Sequence, residues 1–314
     1  MKINENRKKI LFILLTALFC AVEVFAAGQK DYIIFEGKRR EYIVHFPANY
    51  TKQVPPALVI ILHGGSGSAE RMEKATKYDA LADEKGFIAC YPDAFEGNWN
   101  DGREFIQSRA SRLNVNDVGF ISALIYKLEM AFDLDPGKVY ITGVSNGGTM
   151  TLRLACELSD KIAAAAAVIA NVPEEIYSTC RPKQKVPIII MNGTQDPLMP
   201  YMGGYVTVGR KTRGKVKSTD ETVKLWIQNN NCDASAPLIE KINKDINDSV
   251  YTEKITYKSK DKDDAEVILY KINNGGHTWP GGPQYLPERI IGKASKDVVM
   301  EEEIWNFFEE HVKK

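Results

Sequence analysis

The sequence predicts a three-layer α/β fold, with a mostly parallel central sheet and helices on both of its faces. Three observations carry this. Short continuous apolar runs recur along the chain, as strands covered on both sides require. Segments of helical periodicity lie between them. No linker-like stretch interrupts the alternation, so a single domain is expected.

The elements follow in order. Residues 32–35 and 41–46 alternate apolar with polar and read as an antiparallel pair. The runs 57–62, 87–91, 139–142, 163–169, 186–191 and 267–272 are apolar on both faces and read as buried strands. Helical patterns occupy 69–85, 116–132, 147–158 and 218–230, and a last helix is expected near 297–311. Ser218-Thr219-Asp220-Glu221 has the form of a capping box, which fixes the start of its helix. The basic cluster Arg210, Lys211, Arg213, Lys215 and Lys217 reads most simply as a solvated loop; contact with an anionic substrate is the sharper alternative.

The first residues are not expected to belong to the fold. Lys2, Arg7, Lys8 and Lys9 precede an apolar run over 10–22, and Val24-Phe25-Ala26 places small residues at −3 and −1. This is the pattern of a secretory signal peptide, 1–26, leaving a catalytic domain over 27–314. Glu23 interrupts the run, which falls short of the ~20 apolar residues a bilayer span needs, so no stable membrane span is expected after cleavage. The protein is expected to be secreted or periplasmic.

Composition excludes other classes. The chain has 314 residues, 44% hydrophobic and 26% charged, which fits a globular protein rather than a disordered one. Lys+Arg and Asp+Glu are 41 each. Removing 1–26 takes four basic and two acidic side chains, leaving 37 and 39 and a net charge of −2. Without a basic excess, a nucleic-acid partner is not expected. Four cysteines remain, allowing three ways to form two bridges. Cys90 lies in an apolar run and reads as a buried thiol; Cys156–Cys180 is the bridge this reading favours.

The chemistry centres on Gly143-Val144-Ser145-Asn146-Gly147-Gly148. A bare G-x-S-x-G is common, but here it joins a predicted strand to a predicted helix, the context of a nucleophile elbow. The glycines two residues before and after Ser145 are needed where side chains would collide across a sharp turn. A serine nucleophile needs a base, and the base an orienting carboxylate, in the chain order serine, acid, histidine. After Ser145 only His277 and His311 remain. His311 sits in a polar helix tail, whereas His277 lies in the glycine-rich loop after the last strand. Asp196, in Asn192-Gly193-Thr194-Gln195-Asp196-Pro197, follows the strand before it. The strand over 57–62 ends in His63-Gly64-Gly65-Ser66-Gly67, and the backbone N–H groups of Gly65 and Asn146 are the expected oxyanion donors. A phosphate-cradling loop would need a P-loop lysine that is missing. His63 is expected to be a structural hydrogen-bonder. Trp99, Tyr201 and Trp279 are candidate walls of a substrate pocket, with core packing as the plain alternative.

With these residues placed, the chain resembles the secreted esterases grouped with polyhydroxybutyrate depolymerases and feruloyl esterases, carbohydrate esterase family one. The stretches that carry the resemblance are Leu62-His63-Gly64-Gly65, Trp99-Asn100-Asp101-Gly102-Arg103, Asn116-Asp117-Val118-Gly119-Phe120, 143–148, 193–197 with Tyr201, and 275–282. The resemblance implies an α/β-hydrolase fold, hydrolysis of small or oligomeric carboxylic esters, no metal or organic cofactor, and Ser145, Asp196 and His277 as the triad. Relatives often pair the cysteine equivalent to Cys232 with one just before the last strand; none stands there, so Cys232 is expected to form no bridge. The last predicted helix closes the chain, which favours soluble esters over a crystalline polymer. A secreted serine peptidase of the same fold, or a non-catalytic binding protein on a hydrolase scaffold, are the alternatives.

Overall fold

The computed structural model describes residues 28–313 except 49, 52, 53 and 262–264; the expected leader, 1–26, lies outside the described residues. Among the described residues one sheet has ten strands. In chain order they are β1 (Gln29–Phe35), β2 (Lys38–His45), β3 (Leu58–Leu62), β4 (Ile88–Pro92), β5 (Val139–Val144), β6 (Ala164–Val168), β7 (Ile188–Gly193), β10 (Leu238–Ile242), β11 (Tyr251–Tyr257) and β12 (Val267–Asn273). A separate two-stranded ribbon is formed by β8 (Gly204–Val208) and β9 (Lys211–Val216). The helices are α1 (Ala69–Ala75), α2 (Tyr78–Lys85), α3 (Arg109–Arg112), α4 (Asp117–Phe132), α5 (Asn146–Glu157), α6 (Glu174–Tyr177), α7 (Thr219–Asn229), α8 (Glu288–Ile291) and α9 (Met300–Glu310).

Strands β4, β3, β5, β6, β7 and β12 lie side by side and parallel. Antiparallel strands extend the sheet at both ends, β2 and β1 at one, β11 and β10 at the other. The parallel centre is where the apolar runs were. In β3 successive side chains point to opposite faces. Leu58, Ile60 and Leu62 join a core built with α4, α5 and α7. Val59 and Ile61 join the other core, built with α1, α2 and α9. All five are fully buried. Each such burial contributes roughly 1.5–3 kcal/mol, so neither face tolerates a polar residue.

Two expectations need correction. Residues 69–85 are two helices, not one. Thr76 leaves α1 with extended backbone (φ −115°, ψ 164°). Its Oγ1 donates to the Met72 carbonyl, and the Lys77 N–H donates to Glu301 of α9, which fixes the break. The basic segment 210–217 is not a solvated loop but largely β9; Lys215 on it pairs with Glu174, and Lys217 just after it pairs with Glu221. The capping box is present: Ser218 Oγ accepts from the Glu221 N–H, and the Glu221 carboxylate accepts from the Ser218 N–H.

Cys156, at the end of α5, and Cys180 form a disulfide across 24 residues, with a Cα–Cα distance of 5.3 Å. Closing a loop of that size stabilises a fold by roughly 3 kcal/mol in the chain-entropy account. Cys90 is buried in β4, and burial pushes its thiol pKa up. Cys232 donates its Sγ–H to the Ala265 carbonyl. No helix among the described residues is long and apolar enough to cross a membrane.

Candidate active site

Four loops leave the carboxyl ends of neighbouring parallel strands, the usual ligand-binding edge of such a sheet. The loop after β3 carries Gly65, that after β5 carries Ser145, that after β7 carries Asp196, and that after β12 carries His277.

Ser145 occupies the turn between β5 and α5 at φ 56°, ψ −116°. A side chain costs ~1–3 kcal/mol in so sparsely populated a region, so its surroundings must hold it there. Its N–H donates to the Val168 carbonyl. A Cβ on Gly143 would lie 2.5 Å from the Gly147 carbonyl oxygen, and one on Gly147 would lie 2.4 Å from that of Leu62. Only glycine lets strand and helix approach this closely.

His277 Nε2 is 3.1 Å from Ser145 Oγ, and its Nδ1 is 2.7 Å from Asp196 Oδ2. The other Asp196 oxygen accepts from the N–H groups of Leu198 and Met199, both at 2.8 Å. Those two amides aim the carboxylate. His277 is buried; its backbone N–H donates to the Ile291 carbonyl, and its backbone carbonyl accepts from Tyr285 Oη. An alcohol, an imidazole and a carboxylate thus stand in hydrogen-bonding succession.

Gly64 and Gly65 close one side of this group. A Cβ on Gly64 would lie 3.6 Å from Ser145 Cβ, and one on Gly65 would lie 3.6 Å from Asn146 Cβ. The N–H groups of Gly65 and Asn146 have no acceptor among the described residues. His63 is buried, donates from Nδ1 to the Gly64 carbonyl and accepts at Nε2 from the Ala94 N–H. Those contacts make it a structural hydrogen-bonder of the loop, as its setting implied.

Burial lowers the His63 pKa below its ordinary 6.5, outweighing the Gly64 carbonyl and Asp93, which raise it. Between the folded and unfolded values the unfolded chain carries a proton that the folded chain lacks. Stability therefore falls as pH drops through 6.5 and levels off below the folded value. Denaturant midpoints measured from pH 7.5 to 5 should show this decline, with a shallower slope in His63→Gln; equal slopes in both proteins would contradict it.

The expected pocket walls fare differently. Trp99 is fully enclosed: its Nε1 donates to the His63 carbonyl and its ring packs on the His63 imidazole. Zero exposure makes it core, not wall. Trp279 packs edge-on against Tyr78 at the margin of the core built with α1, α2 and α9. Tyr201 is half-buried, and burial, with the Asp220 charge at the start of α7, raises its pKa.

One buried network was not foreseen. Asn146 Nδ2 donates to Asp101 Oδ2 (2.6 Å) and to the Trp99 carbonyl, while its Oδ1 accepts from the Trp99 N–H. Asp101 Oδ2 also accepts from Arg103 Nε and Nη2. Asn146 therefore faces the site with its backbone and anchors the 99–103 loop with its side chain. Behind it, Asp117 accepts from Arg40 and from the Asn100 N–H. The stretches 99–103 and 116–120, quoted above for the resemblance, are this scaffold. No group of three or more His, Cys, Asp or Glu side chains able to hold a metal ion occurs among the described residues.

Comparison with known proteins follows this geometry. Residues 46–214 match the dienelactone hydrolase family. Over 282 residues the chain is 28% identical to a protein of Nocardia uniformis subsp. tsuyamanensis named as an esterase, NocK, spanning 85% of this chain and 78% of that protein. It is 29% identical over 244 residues to feruloyl esterase B of Piromyces equi, spanning 76% of this chain but 42% of that protein. Among solved structures, an acetyl xylan esterase from Aspergillus awamori superposes with a TM-score of 0.60 at 17% identity, covering 90% of this chain and 99% of that one. That likeness is one of fold.

Proposed function

Since the chain belongs to the dienelactone hydrolase family, we propose that it is a secreted serine carboxylesterase working through Ser145, His277 and Asp196. The observation that carries this reading is the hydrogen-bonded succession of Oγ, imidazole and carboxylate. The esterase names of its sequence relatives support the reaction class.

In this reading His277 Nε2 takes the proton of Ser145 Oγ as the oxygen attacks the ester carbonyl carbon. The carbonyl oxygen becomes an oxyanion and receives hydrogen bonds from the N–H groups of Gly65 and Asn146. One such donor is worth roughly 3 kcal/mol in the transition state. The intermediate collapses, the C–O bond to the alcohol breaks, and His277 returns its proton to the departing oxygen. Water, deprotonated by the same imidazole, then releases the acid and restores Ser145. Asp196 holds Nδ1 protonated and stabilises the imidazolium. The strained turn at Ser145 keeps Oγ clear of the sheet and ready to attack.

Secretion is supported by the basic-then-apolar start of the chain and by the Cys156–Cys180 disulfide, a bond that persists in oxidising compartments. The candidate esters are hydroxycinnamoyl or acetyl groups on plant polysaccharide and short hydroxyalkanoate oligomers. A panel of methyl ferulate, acetylated xylan, hydroxybutyrate oligomers and peptide amides, run beside labelling with a fluorophosphonate, tests the proposal. Label on Ser145 with turnover of at least one ester class is expected; turnover of amides alone, or label elsewhere, would overturn it.

A further inference from the structure

The segment after His277 carries an exposed aromatic ring. Tyr285 stands eight residues beyond the histidine, and its Oη donates to the His277 carbonyl at 3.0 Å. The side chain is thereby tied to the backbone of the residue that moves the proton, yet Tyr285 stays 55% exposed. Leu286, next in the chain, is exposed as well. Burial of the phenol and the charge of Asp196 push the Tyr285 pKa up, which sets its oxygen near the carboxylate of the triad.

The ring does not ride on a loose tip. Gln284 ties the segment from within: its Nε2 donates to the Leu286 and Gly292 carbonyls, and its Oε1 accepts from the Ala294 N–H. The segment is also laced to the histidine loop. The Gly276 N–H donates to the Lys293 carbonyl, and the His277 N–H to that of Ile291. A Cβ on Gly276 would collide with the Ile291 carbonyl oxygen and the Gly292 backbone, so the two segments lie in contact. Tyr285 and His277 therefore belong to one frame. Because the phenol is already held at its oxygen, covering its ring with a ligand costs little further ordering.

The part of the substrate that meets this frame follows from the reaction. The oxyanion donors, Gly65 and Asn146, follow β3 and β5, whereas the proton that frees the alcohol comes from His277 Nε2. The departing oxygen must come within hydrogen-bond reach of that nitrogen, which brings the alcohol part of the ester to the histidine loop.

We propose that Tyr285, with Leu286 beside it, is the apolar platform on which the alcohol part of the ester rests, so that esters of cyclic or long-chain alcohols are preferred over methyl and ethyl esters. The inference rests on the esterase reading and deepens it. Of the candidate substrates, acetylated xylan and hydroxyalkanoate oligomers have an extended alcohol part, whereas methyl ferulate offers only a methyl group.

Two ringed esters, each compared with ethyl acetate, test the platform and its side. Cyclohexylmethyl acetate adds the ring to the alcohol; ethyl cyclohexylacetate adds it to the acyl group. All three release primary alcohols of similar basicity. The readout is the ratio of kcat/KM for the ringed ester to that for ethyl acetate, which does not depend on how much of a variant is folded. The alcohol-side ratio should exceed one and fall about tenfold in Tyr285→Ala, through KM, the effect of uncovering roughly 55 Å² of apolar surface. Tyr285→Phe keeps the ring and loses the hydrogen bond to the His277 carbonyl, so it should keep the ratio even where both rates fall together. A wild-type ratio of one or less, a ratio unchanged in Tyr285→Ala, or one lost equally in Tyr285→Phe would overturn the platform. A fall confined to the acyl-side ratio would overturn it too, since the ring would then serve the other half of the ester. The same esters are run on Ser145→Ala: undiminished turnover there overturns the esterase mechanism and the platform with it, whereas an inactive Ser145→Ala beside an unchanged ratio overturns the platform alone.

Discussion

Ser145→Ala is expected to lower kcat for the best ester of the panel by roughly 10⁴- to 10⁶-fold while leaving the unfolding transition in place. The methyl group of alanine cannot form the acyl-enzyme, and the Gly65 and Asn146 amides alone retain only a small rate advantage over water. The fold should survive, because Oγ touches only His277 among the hydrogen bonds of the site. The substitution also relieves no collision, since a Cβ is already present at this positive φ. The measurement is steady-state hydrolysis beside a denaturant curve. A well-folded alanine variant with wild-type turnover would remove Ser145 from the reaction and return the chain to the binding-protein alternative.

Asp196→Asn should cost about 10⁴ in kcat with little change in structure. The amides of Leu198 and Met199 would still hold an oxygen of the new side chain. Its nitrogen would then face His277 Nδ1 as a donor. The imidazole must answer by accepting at Nδ1 and carrying its proton on Nε2, the atom 3.1 Å from Ser145 Oγ. In that tautomer it has no lone pair for the serine proton. The result separates a positioning carboxylate from a turn-forming one: if Asp196 served only the turn before Pro197, the asparagine variant would retain its activity.

Much of this arrangement is legible in the sequence, for identifiable reasons. The parallel strands stand out because burial on both faces favours continuous apolar runs, as β3 and β6 illustrate. The succession of Ser145, Asp196 and His277 is legible because strand ends supply the positions and histidines are scarce after the serine. What escapes is set by distance in sequence. Strands β10 and β11 are largely exposed or half-exposed and carry no continuous apolar run. The break at Thr76 depends on Glu301, more than two hundred residues away. Trp99 reads equally as wall or core until the His63 carbonyl is seen to hold its indole. Arg213 lies in a basic stretch that resembles any solvated surface, and only the folding of β9 onto Arg103 brings it to the corner where Gly65 and Asn146 meet.

The ribbon itself has a wider meaning. It lies outside the ten-stranded sheet, yet Val216 bridges Pro173 and the Thr207 N–H donates to the Leu198 carbonyl in the loop that carries Asp196. A change in β8 can therefore reach the carboxylate through Leu198, whose own N–H donates to Asp196 Oδ1.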